Sequence, residues 1–121
     1  LALISDAGTP LISDPGYKLV AEARAQGVAV VPIPGASAAI AALCAAGLPT
    51  DRFYFGGFLP NKTTARQEAL QALATIEATL VLYESPNRLS AMLADAAQVL
   101  GPRPAVVARE LTKKFEEFRS G

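Results

Sequence analysis

The sequence predicts an α/β fold built on parallel strands, with two α/β units meeting partway along the chain. Three observations carry this. Apolar runs alternate with helix-forming segments, so that strand, turn, helix, strand, turn and helix pass within about 45 residues, the cadence of β-α units feeding a parallel sheet. The run Val28 to Pro32 is β-branched and uninterrupted, the pattern of a strand covered on both faces. At Leu48-Pro49-Thr50-Asp51 an Ala-rich block without phenylalanine gives way to the aromatic stretch Phe53-Tyr54-Phe55-Gly56-Gly57-Phe58. A domain boundary is expected there, dividing residues 1–50 from residues 51–121.

Each element has a local signal. Leu1 to Ser5 is an apolar, strand-like run ending in the turn residues Asp6-Ala7-Gly8-Thr9-Pro10. Asp14-Pro15-Gly16 is expected to start a helix, with Asp14 as N-cap and Pro15 at the first helical position, and Gly27 closes it. After the strand Val28 to Pro32, Pro34-Gly35 turns the chain into the small-residue helix Ala36 to Leu43, which stops before Gly47 and Pro49. Beyond the boundary, Asn61 to Thr75 is an amphipathic helix. Thr63 or Thr64 can cap it, and Ala69, Leu70 and Leu73 form its inner face. Thr79 to Tyr83 is a strand, Asn87 to Leu100 a helix closed by Gly101-Pro102, and Ala105 to Ala108 a strand. The charged stretch Lys113 to Arg119 reads as a solvated hairpin or a helix start.

Composition narrows the function. Of 121 residues, 51% are hydrophobic and 18% charged, and mean hydropathy is +0.30, well outside the range of disordered chains. Eleven basic and eleven acidic residues give zero net charge, so no global field draws the chain to nucleic acid or an anionic membrane, and any RNA must be held locally. Zero is an average of a first segment of charge −1 and a second of +1, divided at residue 50. With no histidine and the single cysteine Cys44, Ser-His-Asp and Cys-His triads, histidine metal sites and internal disulfides are excluded, and no metal is expected. Cys44, set among alanines and leucines, is expected to be a buried, inert thiol. No run approaches the roughly 18 apolar residues of a membrane span and no leader pattern opens the chain, so a cytoplasmic location without a membrane partner is expected. The chain opens without Met inside a strand-like run, which reads as a fragment.

Three constellations could carry chemistry. In Ser5-Asp6-Ala7-Gly8-Thr9-Pro10-Leu11-Ile12-Ser13-Asp14-Pro15-Gly16, Gly8 permits close approach of a ligand or backbone, Pro10 fixes the loop, and Thr9 and Ser13 offer hydroxyls. Such a loop lies at the carboxyl edge of a parallel sheet, where ligands bind, though the same residues also make a plain helix-capping turn. A phosphatase reading fails, because the position required for its nucleophilic acid is Ile4. In Val31-Pro32-Ile33-Pro34-Gly35-Ala36-Ser37-Ala38, small residues open a helix N-terminus at the same edge, a pattern that also serves close helix-to-sheet packing. In Tyr83-Glu84-Ser85-Pro86-Asn87-Arg88, a carboxylate and a guanidinium stand four residues apart at a strand end, as a substrate grip or a simple salt bridge.

Taken in order, these three segments, with Gly56-Gly57-Phe58-Leu59-Pro60-Asn61-Lys62 and Ala108-Arg109-Glu110-Leu111-Thr112-Lys113, resemble the small-subunit ribosomal RNA methyltransferases of the tetrapyrrole methylase superfamily. The resemblance covers essentially the whole chain. It implies a tetrapyrrole-methylase-like fold of two α/β domains, both incomplete here, with an S-adenosylmethionine cleft between them. It also implies 2'-O-methylation of a cytidine ribose in 16S ribosomal RNA, presented as RNA or as the assembled 30S subunit, by a homodimer. Gly8, Thr9 and Pro10 match the cofactor loop, with Ile12 and Ser13 following. Ser37 and Ala38 match the Ser-Ala pair after the Pro-Gly turn, and Leu82 and Tyr83 the strand end that closes over the cofactor. Lys62, Arg66, Glu84, Arg88 and Glu110 are the substrate candidates. Asn87 stands where the family usually carries histidine, and the family's first glycine-containing loop has no counterpart in the chain.

The chemistry asks little of the side chains. A sulfonium methyl is already activated, so displacement mainly requires the ribose hydroxyl to be held about 3 to 3.5 Å from the methyl carbon. A carboxylate can accept the hydroxyl proton, and Asp6, Asp14, Glu84 and Glu110 are the candidates, with nothing in the sequence choosing among them. The alternatives are a methyltransferase of the same fold acting on a tetrapyrrole or a protein side chain, and a non-catalytic nucleotide-binding or dimerisation module.

Overall fold

Phe53–Phe58 (β1) and Thr79–Tyr83 (β2) are rich in the aromatic and β-branched residues that suit a pleated surface, and they pair in parallel, from Phe53 beside Thr79 to Phe58 beside Tyr83. The computed structural model describes residues 1–121. Between the two strands runs helix α3, Thr63–Ala74, and after them α4, Pro86–Leu100. Two helices precede the pair, α1 (Tyr17–Ala25) and α2 (Ala38–Ala46), and an antiparallel hairpin of β3 (Val106–Arg109) and β4 (Glu117–Ser120) follows it. The charged stretch Lys113 to Arg119 is therefore the turn and return strand of a hairpin. No helix is long and apolar enough to cross a membrane.

Side chains alternate along β2, and the alternation organises the molecule. Val81 packs with Ala39 and Leu43 of α2, joined by Phe55 and Tyr83. Leu80 and Leu82 point to the other face, against the core of Leu59, Leu70, Leu73 and Met92 between α3 and α4. The sheet thus has α2 on one side and α3 with α4 on the other. The segment between the two halves is pinned to this sheet: Thr79 Oγ1 donates to the Pro49 carbonyl at 2.5 Å, and Thr79 N–H to the Arg52 carbonyl at 3.0 Å.

Gly56 and Gly57 are required where they stand. The register slips between Phe55 and Gly57, a β-bulge. A Cβ on Gly56 would lie 2.7 Å from Leu82 Cδ2, and Gly57 has φ +62°. Glycine here lets β1 bend while Leu82 keeps its place in the core.

The structure corrects several local expectations. Leu1 to Ser5 and Val28 to Pro32 form no strand, and Leu1, Ile4, Val31 and Ile33 are exposed. An apolar run supplies the faces of a strand, but its backbone groups become a ladder only beside a partner, and the only parallel pair is β1 with β2. Helix α1 begins after Gly16, not Asp14, because Gly16 itself, at φ +132°, stands outside the helical region. Its far end is as expected: Gly27 is left-handed, Val28 N–H bonds the Ala23 carbonyl and Gly27 N–H that of Arg24, closing the helix in a Schellman motif. Lys62, without a side-chain cap, precedes α3, so Thr63 and Thr64 are helical rather than capping. Cys44 is exposed. It follows Leu43, which faces the sheet, and one residue on an α-helix turns the side chain about 100° away.

Leu70, fully buried, is the centre of the α3–α4 core. Leu70→Ala is expected to destabilise the protein by about 2 to 5 kcal/mol, read as a lowered urea midpoint.

Candidate cofactor cleft and its polar rim

Three contacts bring distant segments to one edge of the sheet. Thr9 Oγ1 donates to the Ala36 carbonyl at 2.7 Å, tying the Gly8-Thr9-Pro10 turn to the Pro34-Gly35 turn. Gly8 has φ +71°, and a Cβ there would stand 4.0 Å from the same carbonyl oxygen. The Ser13 hydroxyl oxygen lies 3.6 Å from where a Cβ on Gly57 would be, so the first loop also reaches β1. At the start of α2, Ala39 N–H donates to Tyr83 Oη at 3.1 Å. That phenol meets one of the amides that a helix start leaves without an internal partner. Its ring is held edge-on by Phe55 and Phe58, with centroids 5.0 and 5.7 Å away.

The sequence-derived residues therefore gather as follows. Gly8 and Thr9 adjoin Ala36, just before Ser37 and Ala38, and α2 joins the end of β2 through Tyr83. Ser37 is the N-cap residue of α2 but makes no side-chain capping bond. Pro10 is half-buried and Ile12 is exposed. Leu82 turns toward the α3–α4 core rather than toward α2. An apolar cavity of 320 Å³ is lined by Ala38, Ala39, Leu43, Phe58, Tyr83 and Leu111 among others. A larger cleft of 1310 Å³ lies between α4 and the β3–β4 hairpin; Leu82 and Glu84 border it, while neither glycine turn nor the α2 start does.

Beside the edge runs a polar rim. The Glu84 side chain is only 3% exposed, accepts Ser85 N–H at 2.8 Å, and pairs with Arg88 at 3.3 Å. Arg88 also donates from Nε to Ser85 Oγ at 3.1 Å and from Nη1 to Asn61 Oδ1. Its side chain remains 41% exposed. Lys62 and Asn87 are exposed nearby in the chain, before α3 and in the first turn of α4. Glu110, at φ +53°, pairs with Lys113 at 3.3 Å on the hairpin turn. Among the carboxylates considered as proton acceptors, Glu84 and Glu110 are thus ion-paired, while Asp6 is exposed and Asp14 half-buried in the first loop.

Arg66 must be corrected. It is 3% exposed, and its guanidinium donates to Asp95 Oδ2 at 3.0 Å, the Pro60 carbonyl at 3.2 Å and the Asn61 carbonyl at 2.9 Å. Enclosed this way it offers nothing to a substrate. Asp95, which also accepts from Gln67 Nε2 at 3.1 Å, was not singled out by the sequence reading. A signal existed: Asp95 lies on the same stripe of α4 as Met92, Ala96 and Val99, where a carboxylate needs a buried partner.

Loops at the edge of an α/β sheet stand where such folds bind ligands. The family model for tetrapyrrole (corrin/porphyrin) methylases matches residues 1–121, and the chain belongs to that family. It is similar to proteins named ribosomal RNA small subunit methyltransferase I. That of Pseudomonas aeruginosa is 60% identical over 121 residues, covering 99% of this chain and 43% of the relative. That of Mesorhizobium japonicum is 57% identical over 122 residues (100% and 42%), and that of Micromonospora olivasterospora 55% over 121 residues (100% and 39%). The chain spans about two fifths of the length of these curated relatives.

Two substitutions test the geometry. Tyr83→Phe keeps the ring packing and loses the α2 contact, so stability should fall by about 0.5 to 1.5 kcal/mol in denaturant titration. Asp95→Ala leaves the Arg66 guanidinium buried without its counter-charge and should cost about 3 to 5 kcal/mol by the same measurement.

Proposed function

We propose that the protein carrying this chain uses S-adenosylmethionine to methylate the 2'-hydroxyl of a cytidine ribose in 16S ribosomal RNA, as a homodimer whose two α/β domains join near Thr50. The observation that carries the reading is the meeting of the Gly8-Thr9-Pro10 turn, the Pro34-Gly35 turn and the α2 start with Tyr83 at one sheet edge. The names of the relatives supply the RNA class.

The residues at that edge suit such a cofactor. Gly8 leaves backbone uncovered, Ala36, Ser37 and Ala38 put only small side chains around the start of α2, and Tyr83 and Phe58 give the adjoining cavity an aromatic wall. When bound, the cofactor supplies an activated methyl group on sulfur. Gly8, Thr9, Pro10, Ile12, Ser13, Ser37, Ala38 and Tyr83 would hold it, while the Leu82 side chain stays in the α3–α4 core. Lys62 and Arg88 would contact RNA phosphates and set the ribose in line, which is the main catalytic contribution this chemistry needs. Asp6 and Asp14 are the carboxylates left without an ion-pair partner to receive the hydroxyl proton.

Calorimetry on the full-length protein should show S-adenosylmethionine binding, and absence of heat would sink every methyltransferase reading. Methyl transfer should then go to small ribosomal subunits or their RNA. Transfer only to a tetrapyrrole or a protein would replace the substrate and keep the chemistry. Lys62→Ala should weaken RNA binding, lower its salt slope by about one, and leave cofactor binding unchanged.

A further inference from the structure

We propose that Arg66, with Asp95, is a positioning residue for the substrate edge: it fixes the Pro60-Asn61 turn so that Asn61 aims the Arg88 guanidinium. The inference rests on the reading of Arg88 as a substrate contact, and goes beyond it by assigning what sets that contact.

The path is continuous. Asp95 on α4 holds Arg66 Nη1, and Gln67 of α3 shares the carboxylate. Arg66 Nε and Nη2 then hold two successive carbonyls, those of Pro60 and Asn61. A planar guanidinium with forked donors can grip a carboxylate and two carbonyls at once, which a single ammonium cannot do in the same geometry. With its main chain held, Asn61 presents Oδ1 to Arg88 Nη1. Glu84 and Ser85 hold the Nε side of the same guanidinium. Arg88 is thereby gripped from the end of β2 and from the turn before α3, while its side chain stays 41% exposed.

A buried guanidinium must satisfy its N–H donors, and Arg66 satisfies two of them on successive carbonyls of one turn. The two carbonyl bonds are spent on the turn that faces Arg88.

The test uses the full-length protein with small ribosomal subunits as substrate, and measures KM, kcat, cofactor affinity and melting temperature for Asn61→Ala, Arg66→Lys, Arg88→Ala and the Asn61→Ala/Arg88→Ala pair. Asn61 is exposed, so its variant should fold normally. Expected are an approximately tenfold rise in KM for subunits in Asn61→Ala and Arg66→Lys, the scale of one charge-assisted hydrogen bond. Cofactor affinity should be unchanged, and the double variant should be no worse than Arg88→Ala alone. If Arg88→Ala raises KM while Asn61→Ala and Arg66→Lys do not, the positioning role is wrong and the substrate contact stands. If Asn61→Ala and Arg88→Ala multiply independently, the aiming contact is wrong. If Arg88→Ala itself leaves KM unchanged, the substrate reading fails and takes this inference with it.

Discussion

Everything in this chain depends on β2 being apolar on both faces. Val81 and Tyr83 look toward α2, while Leu80 and Leu82 look toward α3 and α4. A single five-residue strand therefore serves two cores, and it is the element through which the first and second halves are joined. Because the strand ends at Tyr83 and Glu84 follows it, the chain delivers one residue to the start of α2 and the next to the polar rim. Site and core share one constraint.

The site is an assembly of backbone features more than of reactive side chains. Two turns, one helix start and a phenol meet, and none of the groups is a strong acid or base by type. That suits a transfer in which the donor is already activated and positioning sets the rate. The polar rim is organised differently. There the side chains interlock, from Asp95 through Arg66 and Asn61 to Arg88 and Glu84, and the buried pair contributes definition of one turn rather than net stability, since burying charges costs about as much as pairing them returns.

Much of this was legible in the sequence, for identifiable reasons. Thr79 to Tyr83 and the helix before Gly101 stand where the pattern put them, because their apolar faces are satisfied within the chain. The Gly8 and Pro34-Gly35 turns were expected to meet because both were placed at strand ends; they do meet, although neither run before them forms a strand. Leu1 to Ser5 and Val28 to Pro32 carry equally strong patterns and form no ladder, since a pattern states which face wants covering and says nothing of whether a partner strand stands beside it. Asp14 failed as a cap because Gly16, two residues on, is not helical and the helix starts only at Tyr17. Arg66 was expected to contact substrate and is enclosed instead. Its spacing to Leu70 and Leu73 places it on the buried stripe of α3, and Asp95 on the stripe of α4 was the matching sign that two opposite charges meet inside.

The central claim is that residues far apart in sequence form one cofactor edge held to β2. Amide hydrogen exchange of the full-length protein, with and without S-adenosylmethionine, tests it most directly. The account predicts that binding slows exchange together in residues 5–16, in residues 36–40 including Ala39, and in residues 82–85. Protection confined to residues 89–109 on α4 and β3, with residues 5–16 and 36–40 unchanged, would contradict it.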